Sequence, residues 1–223
     1  MIYITGDTHG EYDHFLNRVY RNHVTEKDTV IVCGDFGFVN DLVEKRRIAL
    51  GNLKKEPFTI AFVDGNHENF NYLYTFPVIE WNGGMVHKVA DNIYHLMRGQ
   101  RFEIEGKSFF TMGGAYSLDK KTRTENFNWW KQELPTNEEY STAKETLEKC
   151  GYKVDYVLTH TVPQSVIHYL GRVPDPHDAE LTGYFEWLYH ELDFKMWFAG
   201  HFHVDKLVRD DLQVLFDEII AIE

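Results

Sequence analysis

The sequence contains very little cysteine, only Cys33 and Cys150 in 223 residues. Small secreted domains that depend on disulfides carry many more, so that class is excluded. Cys33 lies in an apolar run at 29–33 and is expected to be a small buried side chain. This cysteine usage is typical of proteins from a reducing compartment.

Long apolar segments are also absent. No run is long enough to span a membrane. Residues 1–7 lack the basic flank and the apolar core of a signal peptide. We therefore expect a cytoplasmic protein that has no membrane partner.

Positive charge is scarce as well. The 23 Lys and Arg residues are outnumbered by 35 Asp and Glu residues, and the formal net charge is -12. Nonspecific affinity for nucleic acid comes from dense basic patches, so we expect no stable nucleic-acid complex. A small phosphorylated substrate or a short nucleotide stays compatible with this charge, because metal ions held by carboxylates supply a local positive field.

Several short apolar runs predict strands, and their continuous apolar character is typical of strands buried on both faces. Helical patterns at 12–23 and 39–54 separate the first three runs, and this alternation predicts an α/β fold. The predicted strands are 2–5, 29–33, 58–63, 108–112, 154–159 and 196–199.

The pattern changes after about Val86. Short strand-like pieces at 86–89, 93–96 and 102–104 suggest a second sheet. Residues 116–150 are charged and aromatic, and we interpret them as an insertion over the sheet edge within a single domain, 1–223. This insertion is expected to contain a helix at 137–150 that Thr136 or Asn137 caps, and the tail 204–222 is expected to add two or three strands.

Five of the apolar runs end in residues that can bind metal or carry protons. In open α/β sheets the functional site lies beyond the carboxyl ends of the strands, so we expect these strand ends to meet. Each end read alone is also compatible with an ordinary turn or a hydrogen-bonded histidine. The strand-end residues are Asp7 and His9, Asp35, Asn66 and His67, His160, and His201 and His203.

The chemistry of this set favours a metal centre. It combines carboxylates, an amide oxygen and imidazoles, and it has no thiolate. Such mixed oxygen and nitrogen ligands suit manganese, our first expectation, with iron, zinc or nickel as alternatives. The ligands are too many for one ion and enough for two. Two cations roughly 3.5–4 Å apart form a clamp for displacement at phosphorus.

The order of these blocks resembles the calcineurin-like metallophosphoesterases, whose pattern is D-x-H, G-D-x-x, G-N-H-[DE], a lone H and G-H-x-H. The resemblance covers the chain from Asp7 to His203. It implies two packed mixed β-sheets flanked by helices in four layers. The matching blocks are Asp7-Thr8-His9, Gly34-Asp35-Phe36-Gly37, Gly65-Asn66-His67-Glu68, His160 and Gly200-His201-Phe202-His203.

The resemblance also implies roles for these residues. Asp35 would bridge two divalent cations, and a metal-bound hydroxide would attack phosphorus. Asn66 would also contact the substrate. His67 would act as general acid or stabilise the phosphoryl group, and Glu68 would orient it. One ion would be held by Asp7, His9, Asp35 and His203, and the other by Asp35, Asn66, His160 and His201.

One departure from the family leaves the substrate open between monoesters and diesters. Protein phosphatases of this superfamily carry G-D-x-V-D-R-G, whereas this chain continues from Gly34-Asp35 to Phe36-Gly37-Phe38-Val39. The phosphate-binding arginine is therefore missing from its usual place. Arg123, which follows a glycine-rich turn at 113–117, is the candidate replacement for substrate binding.

An alternative function is a non-catalytic metal-binding scaffold on the same fold. Such proteins typically lose ligands or the active-site histidine, whereas this chain retains the full set and His67, which favours an enzyme. We interpret Trp129 and Trp130 as packing residues, with the lining of a substrate pocket as the alternative. The remaining histidines are interpreted as surface or core residues. These are His14, His23, His87, His95, His168, His177 and His190.

Overall fold

The computed structural model describes residues 1–222, which form thirteen strands and six α-helices. The strands are β1 Ile2–Thr5, β2 Thr29–Cys33, β3 Thr59–Val63, β4 Val78–Trp81, β5 Gly84–Ala90, β6 Ile93–Leu96, β7 Gln100–Ile104, β8 Lys107–Met112, β9 Tyr156–Thr159, β10 Met196–Ala199, β11 Lys206–Arg209, β12 Leu212–Val214 and β13 Ile219–Ile222. The helices are α1 Tyr12–Arg21, α2 Glu44–Leu53, α3 Phe70–Leu73, α4 Asn137–Lys149, α5 Gln164–Tyr169 and α6 Ala179–Glu191.

The strands form two mixed sheets. The first has the order β13-β1-β2-β3-β6-β5-β4 and the second has the order β11-β12-β10-β9-β8-β7. Four neighbouring strands in each sheet are parallel, namely β1, β2, β3 and β6 in the first and β12, β10, β9 and β8 in the second. Antiparallel strands complete both edges of each sheet.

The two sheets pack face to face because alternate side chains of their strands point to opposite faces. Ile4 and Ile31 of the first sheet share an apolar cluster with Phe109, Leu158 and Phe198 of the second. Helices cover the outer faces, which form two further apolar clusters. The expected four-layer arrangement of two mixed sheets flanked by helices is confirmed.

Two expectations about the early part of the chain were wrong. Strands β5 and β6 extend the first sheet, where β6 pairs with β3, and only β7 begins the second sheet.

Helix α2 begins at Glu44, later than the 39–54 pattern predicted. The Asn40 side chain accepts hydrogen bonds from the backbone N–H groups of Leu42 and Val43, and this local turn competes with the helix.

Residues 116–150 contain the predicted helix, α4. Thr136 caps it: the Glu139 backbone N–H donates to the Thr136 hydroxyl, and the Glu139 carboxylate accepts from the Thr136 N–H. The Trp130 side chain is buried in the apolar cluster outside the first sheet, and Trp129 is also buried. Both tryptophans therefore pack, as expected, and Trp130 also borders a cavity of about 490 Å³.

No helix among residues 1–222 combines the length and the apolar character needed to cross a bilayer. Strand β4 and helices α3, α5 and α6 were not predicted from the sequence.

Candidate metal centre

The carboxyl ends of five parallel strands meet at one edge of the paired sheets. The first sheet places Asp7, Asp35 and Asn66 there, after β1, β2 and β3. The second sheet places His160 and His201 there, after β9 and β10. The predicted convergence of strand ends is therefore present in the structure.

One group of donor atoms forms around Asp7. Its Oδ2 atom lies 3.0 Å from His203 Nε2 and 3.6 Å from His9 Nε2. The two imidazole nitrogens are themselves 2.9 Å apart. Asp7 Oδ2 is buried and has no hydrogen bond of acceptable geometry. A buried carboxylate oxygen without a partner, beside two imidazole nitrogens, is the donor set of a divalent cation.

A second group forms around His160, whose side chain is fully buried. His160 Nδ1 lies 2.9 Å from the carbonyl oxygen of Cys33, and donation to that carbonyl leaves Nε2 without a proton in the neutral ring. Nε2 nevertheless faces two oxygen acceptors, Asn66 Oδ1 at 3.1 Å and Asp35 Oδ1 at 3.5 Å. With the ring neutral, Nε2 would be a third electron-pair donor beside these two oxygens, and such a set fits a cation.

The charges in the pocket shift its pKa values in the direction expected for such a site. Although burial opposes the change, Asp35 and then Asp7 raise the pKa of His160 to about 10. The pKa of Asp7 is lowered to about 2 by His160 and the other imidazoles, although burial opposes this shift as well. The carboxylates therefore stabilise positive charge at the position where a cation would be held.

Asp35 lies between the two groups. Its Oδ1 atom faces His160 and accepts the backbone N–H of His67 at 2.8 Å. Its Oδ2 atom lies 3.8 Å from His9 Nδ1 and 3.9 Å from His67 Nε2. Asp7 also contributes to both clusters of donor atoms, because its Oδ1 atom lies 3.9 Å from His160 Nδ1.

The structure thus brings all seven predicted ligands together. The ring of His201 lies edge-on to that of His160, with 4.9 Å between their centroids. Coordination by these residues stays a prediction. The seven are Asp7, His9, Asp35, Asn66, His160, His201 and His203.

Four of these residues adopt a left-handed backbone conformation that costs energy for any residue other than glycine. The φ angles are 48° at His9, 46° at Asp35, 69° at His201 and 52° at His203. Nine non-glycine residues within 1–222 share this conformation, so nearly half of them belong to the candidate site. Backbone strain is therefore concentrated at residues whose side chains form the candidate site.

Two glycines permit the close packing of these loops. A Cβ atom at Gly65 would overlap the carboxylate and backbone nitrogen of Asp35, and one at Gly200 would overlap Asp7 Oδ1 and the carbonyl of Cys33. Only glycine fits at these two positions without displacing a candidate ligand.

The two predicted catalytic residues lie beside the centre. His67 borders a cavity of about 490 Å³, and burial, with a contribution from the charge of Arg123, lowers its pKa. Glu68 is fully buried and accepts the backbone N–H groups of Phe36 at 2.7 Å and Gly37 at 3.2 Å. Burial and the charge of Asp35 raise the pKa of Glu68 to about 8.

The predicted orienting contact between Glu68 and His67 is not seen, since no hydrogen bond within 1–222 joins the Glu68 carboxylate to the His67 ring. Glu68 instead holds the loop that follows β2 and carries Asp35.

Arg123, the predicted substrate-binding residue, borders the same cavity as His9 and His67. Its guanidinium is largely occupied: Nε and Nη2 donate to the Asp119 carboxylate at 2.6 and 2.7 Å, and Nη1 donates to the carbonyl of Asn128 at 2.9 Å.

The sequence did not identify two residues that position Asn66. The Asn66 amide nitrogen donates to the Ser117 hydroxyl at 3.1 Å, and that hydroxyl donates to Glu133 at 2.5 Å. Because the nitrogen is held in this way, the amide oxygen faces His160. Ser117 ends the glycine-rich turn at 113–117, which was the available signal.

Comparison with known proteins agrees with this geometry. A family model described as calcineurin-like phosphoesterase matches residues 1–205. The lariat debranching enzyme of Gallus gallus is 25% identical over 186 residues, which cover 74% of this chain and 33% of that protein. The lariat debranching enzyme of Schizosaccharomyces pombe is 28% identical over 183 residues, which cover 73% of this chain and 37% of that protein. The chain thus spans about a third of the length of these curated relatives.

A solved structure shows the same fold. The putative 5'-nucleotidase from Staphylococcus aureus superposes with a TM-score of 0.53 at 15% sequence identity, over 98% of this chain and 49% of that one. The match of the family model to almost the whole chain, together with the assembled strand ends, shows that the chain belongs to the calcineurin-like phosphoesterase family.

Proposed function

We propose that the protein hydrolyses phosphate esters with two divalent cations held by the seven assembled residues. The observation that carries this proposal is the presence of two adjoining clusters of donor atoms, one formed by Asp7, His9 and His203 and the other by Asp7, Asp35 and His160. The donor set is the one that manganese, iron, zinc and nickel share, and manganese is our first choice. Bound cations would polarise the phosphoryl oxygens and lower the pKa of the attacking water.

The chain's own residues supply the remaining interactions. Asn66 directs its amide oxygen toward the centre because Ser117 holds its nitrogen. His67 belongs to neither cluster of donor atoms and borders the cavity, so its imidazole is free to hydrogen-bond the phosphoryl group or to pass a proton to the leaving group. Arg123 adds positive charge at the rim of that cavity, and Glu68 fixes the Asp35 loop.

The substrate class that we propose is a small phosphorylated compound or a short nucleotide, either monoester or diester. Two cavities of about 490 and 440 Å³ border the centre, one lined in part by His9 and His67 and the other by His201 and His203. Either cavity has room for the group attached to a phosphate. The curated relatives named lariat debranching enzymes support testing nucleotide substrates.

Two further features of the protein belong to this proposal. Both sheets contribute ligands, which supports a single domain in which 116–150 is an insertion. The two free cysteines support a reducing, cytoplasmic location.

The decisive experiment measures hydrolysis of 4-nitrophenyl phosphate and bis(4-nitrophenyl) phosphate by protein loaded with manganese, iron, zinc or nickel. We expect turnover of at least one ester and its loss after chelation. Bound metal is quantified in the same samples. Protein that binds two cations and turns over neither ester would instead be the non-catalytic scaffold.

A further inference from the structure

We propose that Arg46 binds a second, non-scissile phosphate of the substrate. This inference rests on the proposed function and names the substrate class more narrowly. Arg46 lies in the first turn of α2 and borders the 490 Å³ cavity together with His9 and His67. The volume of this cavity is within the range of small-ligand pockets.

The charge state of the cavity singles out Arg46. Three Lys or Arg side chains border it, and two of them are already paired. Lys45 contacts Glu11 at 2.8 Å, and Arg123 contacts Asp119 at 2.6 Å. Arg46 forms no ion pair with any residue in 1–222, and its guanidinium makes one hydrogen bond, a 3.3 Å contact from Nη2 to the carbonyl of His9. It is therefore the guanidinium available to an anion.

The position of Arg46 separates it from the scissile phosphate. Its side chain lies against Gly10 and bonds the backbone carbonyl of His9. The ring nitrogens of His9 face Asp7 and Asp35 instead. One residue, His9, therefore separates the Arg46 guanidinium from the candidate metal centre. An anion on Arg46 is consequently a neighbour of the reacting phosphate, within the same substrate.

The overall charge of the protein favours such a group for a substrate with two phosphates. A net charge of -12 disfavours the approach of a compound that carries two phosphates. The bound cations would offset the charge of one phosphate only. An unpaired arginine in the adjoining cavity offsets the charge of the second.

The test compares substrates that differ by one phosphate. Adenosine 3',5'-bisphosphate is assayed against adenosine 3'-monophosphate and adenosine 5'-monophosphate, with 4-nitrophenyl phosphate as the minimal ester. We expect kcat/KM for the bisphosphate to exceed that for both monophosphates by about tenfold or more. Arg46→Gln should remove this preference by raising KM about 10- to 100-fold for the bisphosphate, the loss expected for one charge-assisted interaction.

Arg47→Gln is the matched control. Arg47 is the next residue on the same helix, it is exposed, and it does not border the cavity. It should retain the preference for the bisphosphate. Equal losses for all substrates in Arg46→Gln would place Arg46 on the scissile phosphate and overturn the proposal. Equal rates for bisphosphate and monophosphates in the unmodified protein would overturn it as well.

Calorimetric binding of adenosine 3',5'-bisphosphate to chelator-treated protein separates this inference from the proposed function. If no ester is hydrolysed but Arg46→Gln weakens binding at least tenfold and Arg47→Gln does not, the phosphate site stands and the phosphoesterase proposal fails. If 4-nitrophenyl phosphate is hydrolysed but Arg46→Gln leaves bisphosphate affinity unchanged, the phosphoesterase stands and the second phosphate site is refuted.

Discussion

Acidification should destabilise the folded protein through one buried imidazole, that of His87. This side chain is 5% exposed, and Tyr74 stacks on it with 5.3 Å between the ring centroids. His87 Nδ1 lies 3.0 Å from His95 Nδ1, and His95 Nε2 lies 3.1 Å from the Asp64 carboxylate. His95 contacts Asp64 through Nε2, so the ring atom that it presents to His87 is Nδ1, which carries no negative charge. A proton added to His87 is therefore a charge without a partner.

The size of the effect follows from the pKa of His87, which burial and then the neighbouring His95 lower from 6.5 to about 4. Between these two values the unfolded chain binds a proton that the folded chain does not. The contribution to stability is complete above pH 6.5 and is lost as the pH falls toward 4. Each pH unit is worth about 1.4 kcal/mol, so the full loss is about 3 kcal/mol.

The assay is urea unfolding of metal-free protein, followed by tryptophan fluorescence, at several pH values between about 4 and 7. The free energy of unfolding of the unmodified chain should fall more steeply with acid than that of His87→Gln, which cannot titrate. Groups present in both proteins cancel in the difference. His168→Gln, which removes an exposed histidine, should leave the steep dependence unchanged. Parallel curves for the unmodified protein and His87→Gln would refute the reasoning.

Three substitutions test the candidate centre. Asp35→Asn should reduce bound metal from two ions toward none and abolish turnover. Asp193→Asn, which changes an exposed carboxylate, should do neither. Two tightly bound ions in Asp35→Asn, measured by metal analysis, would refute the role of Asp35 as the bridging ligand. His67→Ala should keep its metals and lose turnover most for poor leaving groups, and equal losses across a series of esters would remove the general-acid role. Gly65→Ala should displace Asp35 and lower both the metal content and the melting temperature. The control is Gly51→Ala in α2, where the space around the residue is open and the change should stabilise the protein by up to about 1 kcal/mol. Unchanged metal binding in Gly65→Ala would contradict the packing argument.

The parts of the fold that the sequence predicted depend on local signals. Runs such as 2–5 and 29–33 are nearly continuous in apolar residues because both faces of these strands are covered. The polar residues that follow them, Asp7 and Asp35, then had to lie at a shared sheet edge. The sequence left the cap of α4 open between Thr136 and Asn137, and the structure assigns it to Thr136, which pairs with Glu139 three residues later.

The parts that the sequence missed depend on distant partners. Nothing within 86–96 shows that β6 pairs with β3, since an apolar strand can extend either sheet. Arg46 lies on a helix, away from any strand end, and only the folded chain places it beside His9. The family resemblance implied that the Glu68 carboxylate orients His67, but it bonds the loop after β2, about thirty residues earlier.

The candidate centre belongs to the interface between the sheets rather than to either sheet. Each of the two proposed ions takes ligands from both: the first sheet supplies the aspartates and Asn66, and the second supplies His160, His201 and His203. The left-handed conformations at four of the ligands, which lie in three loops, cost energy. The apolar packing between the sheets holds those loops against one another, so the core fixes the geometry in which carboxylates and imidazoles converge. A change that slides one sheet across the other should therefore damage the centre even when every ligand is retained.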